Sequence, residues 1–126
     1  MLAGGTGITP MLQIIAAILR DPLDLSEISL VFANQTEADI CCRDELEKLR
    51  AAHPKRFRLH YTLDRPPSSG WAGSTGFITP AMLEAHLPPP GPDTVVLCCG
   101  PPPMVKFACK ANLDKLDYPK DRVLCF

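Results

Sequence analysis

The chain has 126 residues, 46% of them hydrophobic and 21% charged, and a net charge of −1. That is enough for one domain with a core of its own and ordinary globular composition. It excludes the basic block that nucleic acid or an anionic membrane selects, and no apolar run reaches the roughly 18 residues of a membrane span.

In chain order, Met1 to Ala3 reads as the tail of a strand, short against the usual length of about five or six. The front of the first strand is therefore expected to be missing. Thr9 to Arg20 is predicted as a helix, with Thr9 as its cap and Pro10 at its first position. Met11, Leu12, Ile14, Ile15, Ile18 and Leu19 make it apolar almost all round, which implies burial on more than one side. Glu27 to Ala33 is predicted as a strand, Glu37 to His53 as an amphipathic helix, and Phe57 to Leu63 as a strand with unlike faces. Asp64 to Thr75 is rich in Gly, Ser and Pro and reads as a loop. Thr79-Pro80 repeats the cap-and-proline device before a short helix, Pro80 to His86. Thr94 to Cys99 is a near-continuous apolar run, the pattern of a strand buried on both faces of a parallel sheet. Gly100 to Leu116 is a loop and helix, and Arg122 to Phe126 a last strand. Strands and helices alternate, which predicts an α/β fold: a doubly wound, Rossmann-like parallel sheet of about five strands with helices on both faces.

In such sheets ligands bind outside the carboxyl ends of the strands. Four motifs fall there: Gly4-Gly5-Thr6-Gly7, Asn34-Gln35, Asp64-Arg65 and Cys99-Gly100-Pro101. The first is a glycine-rich turn opening a helix, whose N-terminal amides and dipole suit an anion; a tight strand-to-helix turn with no ligand is the plainer reading. Asp64 can accept from a ribose diol and repel a 2′-phosphate, or it is a turn aspartate. Cys99 can touch a planar ring or be an inert core thiol. His53, His60 and His86 read as surface or cap histidines, and Glu45, Glu47, Lys48 and Arg50 as a solvated helix face. The six cysteines form no Cys-x-x-Cys and no Cys/His cluster at zinc spacing. They read as reduced thiols, which points to a reducing compartment, and no metal site is expected.

Ala3-Gly4-Gly5-Thr6-Gly7-Ile8-Thr9-Pro10-Met11, Phe32-Ala33-Asn34-Gln35-Thr36, Tyr61-Thr62-Leu63-Asp64-Arg65 and Cys99-Gly100-Pro101-Pro102-Pro103-Met104 closely resemble the C-terminal NADH-binding half of NADH–cytochrome b5 reductases. These are ferredoxin–NADP reductase-like flavoenzymes. The resemblance runs to the final Arg122-Val123-Leu124-Cys125-Phe126. It implies hydride transfer from NADH to FAD, then electron transfer to cytochrome b5 or a similar haem acceptor. It also implies roles. Gly4, Gly5, Thr6 and Gly7, with Thr9 and Pro10 at the helix start, approach the pyrophosphate and nicotinamide, and Thr6 lies near the flavin. Gln35 and Asp64 hold the adenosine ribose, with Asn34 also among the cofactor-binding residues, and Asp64 favours NADH over NADPH. Phe77 flanks the adenine. Cys99 stands where hydride passes, with Gly100, Pro101, Pro102 and Met104 around the pocket and Phe126 near it.

The family's FAD-binding β-barrel precedes this domain and is not in the sequence. Residues 1–126 are thus expected to be one NADH-binding domain that binds NAD(H) weakly alone and lacks diaphorase activity. Relatives attach to the endoplasmic reticulum or mitochondrial outer membrane through an N-terminal segment, which implies the cytoplasmic side. Two other readings stand beside this one: a non-catalytic nucleotide-binding or interaction domain of the same fold, and a thiol-redox protein.

Overall fold

The computed structural model describes residues 1–126. Its strands are β1 (Leu2–Gly4), β2 (Ile28–Asn34), β3 (Phe57–Leu63), β4 (Ser74–Thr75), β5 (Val96–Cys99) and β6 (Val123–Cys125). The helices are α1 (Ile8–Arg20), α2 (Arg43–Ala52), α3 (Pro80–His86) and α4 (Ala111–Lys115), the last preceded by a π-helical segment, Met104–Lys110. All strand pairs are parallel, in the order β4-β3-β2-β1-β5-β6. From β1 the chain steps outward to β4, then crosses to the far side of β1 to lay down β5 and β6. The strand order therefore reverses between β1 and β5.

Helices cover both faces, as the alternation of elements requires. On one face Met11, Ile15 and Leu19 of α1 and Leu46 of α2 pack with Leu30, Phe32, Phe57 and Leu63. On the other, Met82 and Leu83 of α3 and Leu113 of α4 pack with Leu2, Val31, Val96 and Cys98. Alternate residues of β1, β2 and β5 supply the two cores, whereas β3 contributes to the first alone. β1, although three residues long, is fully buried between β2 and β5, and the Met1 amino group donates to the Ser29 carbonyl at 2.6 Å.

Several expectations need correction. The sheet has six strands rather than about five, because Ser74–Thr75 inside the predicted loop pairs with Thr62 and Leu63. Two residues are too few to leave a periodic signal. The predicted helix from Glu37 to His53 is broken: Glu37–Asp39 forms a 3-10 turn, Cys42 takes the left-handed conformation at φ 56°, and α2 begins only at Arg43. Thr36 and Asp39 close that turn on themselves, the Thr36 N–H and hydroxyl both donating to Asp39 Oδ2 at 3.0 and 2.7 Å.

Thr9 does not cap α1 and Pro10 is not its first residue. The 3-10 turn Gly5–Gly7 runs straight into the helix, so Ile8 opens it and Gly7 precedes it. Pro10 is tolerated in the third place because the first N–H groups of a helix have no partner within it. Burial of α1 follows one stripe, Ile8, Met11, Ile15 and Leu19, with half-buried flanks. β5 is buried on alternate residues only, Val96 and Cys98. The expected cap at Thr79 is present, accepting from the Met82 N–H at 3.2 Å.

Candidate functional site

Because every strand points the same way, all six carboxyl ends emerge on one edge, and the sheet order sets their sequence along it. Phe77 follows β4, Asp64 follows β3, Gln35 follows β2, Gly5 follows β1, Gly100 follows β5 and Phe126 follows β6. From β4 to β5 there are four strand spacings, about 19 Å at about 4.8 Å each. The reversal between β1 and β5 lies inside this row and is where such sheets open a crevice for ligand.

The walls of that crevice interlock. A Cβ on Gly7 would overlap the Cys99 carbonyl, and a Cβ on Gly4 would overlap the Met104 sulfur. One on Gly100 would lie 2.7 Å from Met104 Cε. These three glycines are therefore small because the two loops touch each other. Gly5 differs: its φ is +54° and nothing lies within 4 Å of the Cβ it lacks, so it is the position where the backbone itself faces open space. No side chain caps the first N–H groups of α1. Thr9 Oγ1 instead donates to the Thr6 carbonyl at 3.1 Å, and both threonines are exposed. Cys99 and Met104 are half-buried beside this turn, Pro101 and Pro102 are exposed, and the Phe126 N–H donates to the Cys98 carbonyl at 3.0 Å.

The other half of the row is held by strand-end hydrogen bonds. The Asp64 N–H donates to the Asn34 carbonyl at 3.1 Å and the Arg65 N–H to the Gln35 carbonyl at 2.8 Å, leaving the Gln35 and Asp64 side chains exposed side by side. Arg65 Nη2 donates to Gln35 Oε1 at 3.2 Å. The Thr36 hydroxyl and N–H also hold the Asp39 carboxyl below the usual aspartate range. Asn34 is 7% exposed, yet neither its Oδ1 nor its Nδ2 has a partner, an unusual state for a buried amide. Phe77 stands 75% exposed just after Gly76, whose N–H donates to Leu63 at 2.8 Å and whose carbonyl accepts from Thr62 Oγ1 at 2.7 Å.

The candidate residues at strand ends thus fall in one row, with Thr9 and Pro10 in the first turn of α1 and Met104 at the start of the π-helical segment beside it. The structure adds the Arg65 bond to Gln35 and the short strand β4. The sequence signal for Arg65 was its place directly after Asp64; β4 left none. His60 and His86 lie away from the row, on the α3 face, with rings stacked 3.5 Å apart at the centroids and His60 Nε2 within 2.6 Å of Ser74 Oγ. Burial lowers both imidazoles below the usual histidine range, and for His60 the neighbouring His86 adds to it. One hollow adjoins that pair, lined by Leu30, Arg58 and Leu87 among others. A larger one, about 250 Å³, opens at the opposite edge, where Ile28, Ser29 and Val96 start their strands. Neither hollow lies on the strand-end row, which the sheet topology and the unpartnered Asn34 amide make the stronger candidate for a ligand site.

An exposed aromatic at one end, polar side chains next to it, a helix start with no side-chain cap at the centre and a thiol beyond it suit a long, anionic ligand with a ring at each end. A matching sequence profile, oxidoreductase NAD-binding domain, covers residues 1–110. The chain belongs to this family. NADH-cytochrome b5 reductase 2 of Xenopus tropicalis is 61% identical over 120 residues, 95% of this chain and 39% of that protein. NADH-cytochrome b5 reductase 1 of Bos taurus is 60% identical over 123 residues, 97% of this chain and 40% of that protein. The chain thus spans about two fifths of the curated relatives it matches. Among solved structures, the cytochrome b5 reductase domain of Ulva prolifera nitrate reductase superposes with a TM-score of 0.96 at 53% identity, over 100% of this chain and 47% of that one. The CS-b5R domains of human Ncb5or, in an NAD+ form, match with a TM-score of 0.84 at 35% identity, over 99% of this chain and 35% of that one. No helix is long and apolar enough to cross a membrane.

Proposed function

We propose that this domain holds NADH along the carboxyl edge of its sheet, as the nucleotide half of a flavin-dependent reductase that serves a cytochrome b5-type acceptor. The observation that carries the reading is the spatial order Phe77, Asp64, Gln35, Gly5, Cys99, Phe126, set by the strand order. Phe77 covers the adenine, while the Asp64 carboxylate accepts from the adenosine ribose hydroxyls and the Gln35 amide accepts or donates there, with the Asn34 amide as a further polar group beside them. The helix amides after Gly5 and Thr6, with Thr9 and Pro10 behind them, receive the pyrophosphate. Cys99, Gly100, Pro101, Pro102 and Met104 border the nicotinamide, with Thr6 and Phe126 at its flavin side. When bound, NADH supplies a hydride, for which FAD held mainly by an adjoining β-barrel domain is the acceptor. The chain's own task is to position the ring, and hydride transfer asks no side chain for a proton. The exposed Asp64 carboxylate disfavours a 2′-phosphate. Residues 1–126 are read as this one domain, inactive or weakly active without the flavin domain. Homology to cytochrome b5 reductases and the free state of all six cysteines support a reducing compartment on the cytoplasmic side, at a membrane reached through other parts of the protein.

Titrating the chain with NADH and NADPH, alongside the Asp64→Thr variant, tests the reading. NADH is expected to bind more tightly to the native chain, and the variant to lose much of that preference. Equal binding of the two nucleotides by the native chain would remove the role given to Asp64.

A further inference from the structure

Three cysteines gather where the sheet ends. Cys98 on β5 and Cys109 in the π-helical segment are fully buried in the same apolar cluster. Cys125 on β6 is the register partner of Cys98 and is exposed. Residues in register on parallel strands direct their side chains to the same face, and the Cys98 thiol is close enough to the Cys109 and Cys125 thiols for both to shift its titration. Adjacent parallel strands are about 4.8 Å apart, inside the Cα separation of about 4.4–6.8 Å that a disulfide spans. β6 is also the edge strand, three residues long with no neighbour on its outer side, so it can shift by the small amount a sulfur–sulfur bond requires.

We propose that Cys98 and Cys125 form a redox-modification site, joined as a reversible cross-strand disulfide when a hydroperoxide reaches the exposed Cys125. The Cys125 thiolate attacks the peroxide oxygen, the O–O bond breaks, and a sulfenic acid forms with release of water or an alcohol. Cys98 then attacks the Cys125 sulfur, the S–O bond breaks, water leaves and the S–S bond forms. The two thiols together give up two electrons and two protons, and the peroxide takes them up. Cys109 is the less suitable partner because peroxide has no path to either of two fully buried thiols.

Contact with Cys109 and burial raise the Cys98 thiol well above the usual cysteine range, and burial raises Cys125. Lys110 beside Cys125 and the Met1 amino group near Cys98 oppose this only in part. Both thiols therefore rest protonated at neutral pH, and attack on the peroxide quickens as pH rises. Once formed, the bond ties the strand that carries Phe126 to the strand that delivers Cys99.

The test uses the whole chain with Cys41→Ser and Cys42→Ser, which removes the other exposed thiols. It is treated with hydrogen peroxide at mildly alkaline pH, alkylated, digested without reductant and mapped by mass spectrometry. The expected product is a linked pair of peptides lighter by two hydrogens, joined between residues 98 and 125 and restored by excess dithiothreitol. Cys109→Ala is expected to keep the link and Cys125→Ser to abolish it. A link from Cys98 to Cys109, a link from Cys99 to Cys125, or a Cys125 oxidised to sulfinic acid beside an alkylated Cys98 would each overturn the proposal. The readout is a covalent bond, so it succeeds or fails independently of nucleotide binding.

Discussion

The two halves of the strand-end row are built in opposite ways. On the β1–β5 side, Gly4, Gly7 and Gly100 lie against Cys99 and Met104, and none of these three positions has room for a further atom. On the β2–β3–β4 side, Gln35, Asp64 and Phe77 project, exposed, from strand ends aligned by backbone hydrogen bonds and by the Thr62 hydroxyl on the Gly76 carbonyl. On the proposed reading the inner half therefore couples ligand geometry to folding, and a change there is expected to cost stability and binding together. On the same reading the outer half separates them, so changes to its side chains are expected to alter nucleotide preference while the sheet stays intact.

The largest effect is expected at Gly7→Ala. Its new Cβ meets the Cys99 backbone, which cannot rotate away, so a loss of about 3 kcal/mol is expected in urea unfolding. Gly4→Ala should cost less, about 1–2 kcal/mol, because it meets the flexible end of Met104. A Gly7→Ala chain as stable as the native one would break the contrast between the halves. Next comes Thr79→Ala, which removes the α3 cap and should cost about 1 kcal/mol with little change in NADH affinity; a large loss of affinity would mean that α3 carries part of the site.

On the outer half, Phe77→Ala should leave stability within about 0.5 kcal/mol while weakening NADH binding by about 1 kcal/mol, read by fluorescence titration. Unchanged affinity would remove Phe77 from the adenine end. The smallest effect concerns pH. His60 and His86 are lowered from the usual 6.5, so the folded state binds fewer protons than the unfolded one. Their stabilisation is complete above pH 6.5 and is lost as pH falls below it through their folded values. The Met1 amino group, lowered from 8.0 to about 6 by burial, adds a decline that begins near pH 8.0. Thermal melts of His60→Gln and His86→Gln between pH 8 and 5 should keep the upper part of the slope and flatten the lower part. A native melting temperature that rises on acidification would contradict this.

The sequence by itself determined the alternation of strands and helices, the parallel sheet and the four motifs at its carboxyl ends. These are local matters: apolar runs of strand length, a threonine cap before proline, and glycine where a helix opens. Its resemblance to one reductase family supplied roles for those residues. Tertiary structure decided what depends on neighbours distant in the chain. Ser74–Thr75 is a strand only because β3 offers it a free edge. The helix after Gln35 breaks at Cys42, whose left-handed backbone no periodicity reveals. Gly4 and Gly7 are glycines because Met104 and Cys99, about a hundred residues later by number, occupy the space beside them. Cys98 and Cys125 meet for the same reason: β5 and β6 lie in register, and pairing between strands is a property of the folded sheet.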